Sequence, residues 1–195
     1  MNFHTMKTKP AVFAAISKTF TMSVLSVALA LPTYAQKTTE LGKGGGGSAH
    51  VKTEWTVAPA NISIEYGRPA LKGRDETKLM PVNTEWRTGA DAASIITTDK
   101  ALKFGTVTLQ PGTYTINTVP GAAEWQIVFG KLGKPGQWGI PYQKELEVGR
   151  VPMKLGKLAD PVELLTFLIE PGKSAGTLKV EWGMKSASIP FTVLP

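Results

Sequence analysis

From Val51 to the end of the chain, apolar and polar residues alternate with a period of two, and no helical period is sustained anywhere. The runs Val51–Val57, Ile62–Tyr66, Phe104–Leu109, Thr113–Val119, Glu124–Phe129, Glu163–Ile169, Gly176–Trp182 and Ile189–Val193 are filled with Thr, Val, Ile and aromatic residues. Successive strand side chains point to opposite faces, so this alternation describes strands with one face buried. Gly, Pro, Asp and Asn punctuate the runs, and Gln110-Pro111-Gly112 and Pro171-Gly172 carry turn chemistry. Short strands at this spacing predict an all-β, antiparallel β-sandwich of jelly-roll-like type, with a closed barrel as the alternative. The best helical candidate, Leu71–Met80, is short and contains Gly73.

Two segments precede this pattern. Residues 1–35 have the layout of a secretory signal: Lys7, Lys9 and Lys18, an apolar stretch from Phe20 to Leu31, the breaker Pro32, and small residues ahead of Gln36. Twelve apolar residues span roughly 18 Å as a helix, short of a hydrocarbon core of about 30 Å, so the segment reads as cleaved rather than anchored. Residues 36–48 (QKTTELGKGGGGS) are polar and end in a glycine run, which reads as a flexible linker; 49–195 is then the folded domain.

Of the 22 basic residues only Lys7, Lys9 and Lys18 precede Gln36, and all 15 acidic residues follow it. The remaining mild positive charge is dispersed, with no basic stripe to bind nucleic acid. Lack of cysteine removes disulfides, thiolate metal sites, cysteine nucleophiles and a lipid-bearing cysteine. The expected location is therefore the periplasm or the medium, with no membrane span after signal cleavage. His4 and His50 are the only histidines, so neither a histidine zinc cluster nor a Ser-His-Asp triad is expected, and no cofactor is implied.

Three arginines stand beside turn residues: Arg68 and Arg74 in YGRPALKGR, and Arg87 in EWRTGAD. A guanidinium fork suits a carboxylate or phosphate, which makes Arg68, Arg74, Trp86, Arg87 and Asp91 a candidate site for a small acidic or sugar-like ligand. The same arginines suit internal pairing, Arg87 with Glu85 or Asp91 and Arg74 with Asp75 or Glu76. Trp138, in the loop GKPGQWG, either plugs the sandwich or lines a cleft. Four tryptophans (Trp55, Trp86, Trp125, Trp182) each follow a glutamate, which reads as Trp inward and Glu outward, or as a sugar platform beside an acceptor. Two further functions stay open: a structural or protein-interaction module of the cell envelope without a small ligand, and a carboxylate-based hydrolase.

The ordered set YGRPALKGR, EWRTGAD, LQPGTY, EWQIVF, QWG, PVELLTF and GTLKVEWG resembles the domain-of-unknown-function 2911 family of exported bacterial proteins, over about Val51–Val193. The resemblance implies an exported β-rich domain without an assigned activity. Asp75–Leu79 is polar where that family carries a short apolar segment. N-terminal sequencing of the protein recovered after export checks the cleavage: the expected first residue is Gln36, and a retained Met1 would exclude it.

Overall fold

The computed structural model describes Met1, residues 36–133 and residues 142–195. The signal-like segment 2–35 and Trp138 lie outside the described residues. Among the described residues ten strands form one antiparallel sheet: β1 (Lys37–Lys43), β2 (Ala49–Val57), β3 (Ala60–Arg68), β4 (Ser94–Thr98), β5 (Leu102–Phe104), β6 (Val107–Leu109), β7 (Gly112–Val119), β8 (Glu124–Lys131), β9 (Glu147–Pro171) and β10 (Ala175–Val193). Their order is β1-β2-β3-β4-β7-β8-β9-β10-β5-β6. The β5–β6 hairpin thus leaves the first layer between β4 and β7. Only short 3-10 turns, Glu76–Lys78 and Lys144–Leu146, interrupt the strands among the described residues.

The sheet folds on itself because β9 serves both layers. Its first residues pair with β8 (Glu124↔Lys154 to Gly130↔Glu147) and its last with β10 (Gly176↔Pro171 onward). Rings from strands that are not sheet neighbours then meet in one core. Tyr66 of β3 meets Phe167 of β9 edge-on at 4.8 Å, and Phe104 of β5 meets Phe129 of β8 at 4.8 Å. The chain after β3 closes one flank: Leu71 N–H donates to Glu163 O at 3.0 Å and Leu165 N–H to Pro69 O at 3.0 Å.

The four Glu-Trp pairs resolve as the alternation requires: Trp55, Trp86, Trp125 and Trp182 are buried, and none of their glutamates is. Phe104–Leu109, which reads as one run, is a hairpin because Gly105 takes φ +53°. The linker expectation for 36–48 is corrected over most of its length. Lys37–Lys43 pairs with β2 (Lys37↔Glu54 to Lys43↔Ala49), and Gly44–Ser48 is the turn between them, with Gly44 N–H donating to Ser48 O at 2.9 Å. Its side chains are exposed, as the composition implies. Its backbone groups nevertheless find partners on the open edge of β2, which a burial argument from composition does not count.

Trp86 is central to the layer contact. It stacks on Trp182 (5.8 Å, 13°) and meets Trp125 edge-on (6.4 Å, 82°). Trp86→Ala is expected to cost about 3–5 kcal/mol, the range for emptying a buried aromatic site, read as a lower urea midpoint at unchanged slope.

Candidate ligand-binding groove

The sequence-selected residues separate in the fold. Arg68, ending β3, donates from Nε to Leu165 O at 3.1 Å and from Nη2 to Thr166 Oγ1 at 2.8 Å. It braces the two layers. Arg74 donates from Nε to Leu71 O and from Nη2 to Ala70 O, each at 2.8 Å, closing its own turn. Carbonyls, not Asp75 or Glu76, take these bonds; Asp75 accepts from Thr77 instead. Trp86 belongs to the core. Arg87 Nε reaches Gly89 O at 3.4 Å, while Glu85 and Asp91 turn to other partners.

The Arg87–Asp91 turn is held tightly. Thr88 (φ +52°) and Asp91 (φ +62°) both take left-handed backbone, which is uncommon for residues with a side chain. Thr88 Oγ1 bonds Thr118 Oγ1 at 2.9 Å, and Ser94 Oγ donates to Thr88 O at 3.0 Å. Gly67 lies directly beneath; a Cβ there would come 2.0 Å from Ala90 O. This packing aims the Asp91 carboxylate at the N-terminal hairpin. Oδ1 accepts from Gly46 N–H at 3.1 Å and Oδ2 faces His50 Nε2 at 3.3 Å. The imidazole and carboxylate are 24% and 14% exposed.

His50 is the residue that sequence reasoning set aside, because it stands next to a presumed linker. Asp91 is 41 residues away, and no local spacing signals the pair. Together with Leu41 of β1, Glu65 of β3, Ile95 and Thr97 of β4 and Thr113 of β7, His50 lines a groove of about 380 Å³. Across the hairpin His50 faces Gly67, which has no side chain to fill the space above the sheet. Glu65 is tied to Lys52 at 3.6 Å, and Thr97 and Thr113 share a hydroxyl bond of 3.0 Å. Apolar walls with a few hydrogen-bonding groups at the rim are the usual makeup of a small-molecule site.

A second polar cluster gathers around the start of β9. Arg150 makes a two-pronged contact with Glu147, Nε to Oε1 at 2.8 Å and Nη2 to Oε2 at 2.6 Å, and reaches Glu85 Oε1 at 3.2 Å. The Tyr142 hydroxyl donates to Glu147 Oε2 at 2.5 Å. The pairing with Arg150 holds the Glu147 carboxyl at a pKa of about 2, while burial and the neighbouring carboxylate push the Tyr142 phenol up. Both acids touch Arg150 Nη2, so a carboxylate pair does share one cleft, as the hydrolase reading requires. Both Glu147 oxygens are, however, engaged, Oε1 by Arg150 and Oε2 by Arg150 and the Tyr142 hydroxyl, which spends the carboxylate within the cluster. The cluster is a brace. Among the described residues no three His, Cys, Asp or Glu side chains gather to hold a metal.

Since Glu147 titrates far below its ordinary 4.5, its pairing stabilises fully above that value and loses effect as the pH falls towards about 2. Glu147→Gln is expected to cost about 1–3 kcal/mol at pH 7. The gap between wild type and variant should narrow from pH 5 to pH 2, read from urea midpoints.

A family model described as "Protein of unknown function (DUF2911)" matches residues 48–191. No curated protein and no solved structure matches the chain. The match covers the whole sandwich apart from β1 and the last residues, as the sequence motifs imply: the chain belongs to the DUF2911 family.

Proposed function

We propose that this chain is an exported, non-catalytic binding domain that holds a sugar-like ligand in the groove edged by His50 and Glu65. The observation that carries the reading is the groove's makeup. Leu41 and Ile95 offer apolar surface to the C–H face of a sugar ring, and His50, Glu65, Thr97 and Thr113 stand where ring hydroxyls need partners. Asp91 supports the site from behind: it orients the imidazole and fixes the glycine turn that leads from β1 into β2. Glu65 on the groove wall offers hydrogen-bond acceptors, which suit a hydroxyl better than an anion. The arginine turns, which suggested anion binding, support it less, since Arg68 and Arg74 each spend two donors within the protein. Export rests on the charged, apolar and small-residue layout of residues 1–35.

Thermal denaturation of the purified protein with hexoses, pentoses, amino sugars and sugar acids tests the reading. A ligand at 100 times its Kd adds about 2.7 kcal/mol, a shift of several degrees in a chain of this size. The expected result is a shift with at least one sugar, and at least a tenfold loss of affinity in His50→Ala and in Glu65→Ala. No shift with any of them would overturn the reading.

A further inference from the structure

The groove edged by His50 does not stop at one ring's length. Thr97 lines it, and the same Thr97 lines a second hollow of about 560 Å³. That hollow is edged by Lys37 of β1, Glu54 and Thr56 of β2, Asn61 and Ser63 of β3, and Asp99 after β4. The register explains why the two adjoin. Along β3, Glu65, Ser63 and Asn61 face away from the core, while Ala60, Ile62 and Ile64 are buried in it. Their partners widen the same face: Glu65 stands between Lys52 and Ile95, Ser63 between Glu54 and Thr97, and Asn61 opposite Thr56. At the near end Gly67 faces His50. From Gly67 to Asn61 the strand covers roughly 20 Å. One sugar ring fills a fraction of that length, and a row of rings fills it.

The chemistry is alike at both ends. Thr56, Ser63 and Asn61 carry hydroxyls and an amide that suit sugar hydroxyls, as Thr97 and Thr113 do beside His50. The charges offset one another. Glu54 has Lys37 and Lys52 each at 3.9 Å, and Glu65 has Lys52 at 3.6 Å. Asp99 accepts from the Asn61 N–H and from its Nδ2, each at 2.8 Å. A face of balanced charge with many hydroxyls is complementary to a neutral polyhydroxylated chain rather than to a charged polymer. Because the strip follows one extended strand, the chain lying on it is extended too.

We propose that the ligand is a linear, neutral, β-1,4-linked oligosaccharide lying along β3. One ring sits at His50 and Glu65, and later rings pass over Ser63, Asn61 and Thr56. This rests on the groove reading and deepens it from a single sugar to a chain.

Calorimetric titration of the purified protein with glucose, xylose and N-acetylglucosamine, against their β-1,4-linked tetramers, tests the proposal. Four equivalent rings offered to a one-ring site gain about fourfold by statistics alone, so the decisive gain is larger. At least one tetramer is expected to bind about tenfold or more tighter than its monomer. Ser63→Ile sets a stiff, strand-favouring side chain in the second hollow, outside the His50 end. It should cut that gain to about fourfold or less and leave the monomer's affinity unchanged. Thr56→Val, which removes one exposed hydroxyl at nearly constant shape, should shrink the gain about twofold, again with the monomer unaffected. A gain of no more than about fourfold for every tetramer, or a larger gain left intact in both variants, overturns the proposal and leaves the groove reading standing. Binding of no sugar of either length overturns both.

Discussion

The Asp91 carboxylate is the contact on which the shape of the groove depends. It is one of few acids drawn well out of solvent, and an ionised group so placed must be bonded to be tolerated. Gly46 N–H and the His50 imidazole meet that need, one at each oxygen. Each partner imposes a local demand. A Cβ on Gly44 would come 1.8 Å from Asp91 Oδ2, so the turn must be glycine there. Asp91 itself must take left-handed backbone to point its side chain that way. The glycine run is thus a fitted turn around a carboxylate, and the strand before it, β1, acquires a fixed register on β2. With β1 in place, Leu41 becomes a wall of the groove rather than part of a loose tail.

That chain of dependence explains what was legible in the sequence. Period-two alternation revealed most strands, because burial on one face of a sheet imprints itself residue by residue. The inward tryptophans and outward glutamates were legible for the same reason. β1 was not, since its side chains are exposed along its whole length and its stabilisation is in backbone bonds, which leave no pattern in side-chain polarity. The site was legible only in fragments. Arg87 and Asp91 stand four residues apart, but Asp91 turns to His50 and Gly46 while Arg87 reaches back to Gly89, so closeness in sequence did not make a shared site. Arg68 and Arg74 found carbonyls and, for Arg68, the Thr166 hydroxyl, none of them charged, and so charge pairing gave no hint of their roles. Arg150 and Glu147 did carry a signal, an acid and a base three residues apart, but in a strand that spacing sets them on opposite faces. The register shift between Phe129 and Gly130, where Gly130 pairs with Glu147, is what lets them meet.

A sheet with two open ends also has to avoid pairing with other chains. β1 carries Lys37 and Lys43 at its two ends and breaks register between Glu40 and Gly42. If two β1 strands met antiparallel about their centres, Glu40 would face its own copy. Charged and kinked edges of this kind discourage edge-to-edge association. The same features argue against β1 as a docking strand for another chain.

Stability is unevenly served at the centre of this sheet. Val128 and Asn117 are neighbours of nearly equal burial on adjacent strands, yet one is satisfied by packing and the other holds a donor without a partner. A valine or threonine at 117 would serve the fold better on propensity and on hydrogen bonding alike. The rest of the face follows the fold's interest: Thr97 pairs with Thr113, Glu65 with Lys52, Arg150 with Glu147. Among the described residues the Asn117 amide is one of a few buried donors left without a hydrogen bond, a local cost that the settled pairs around it have to carry.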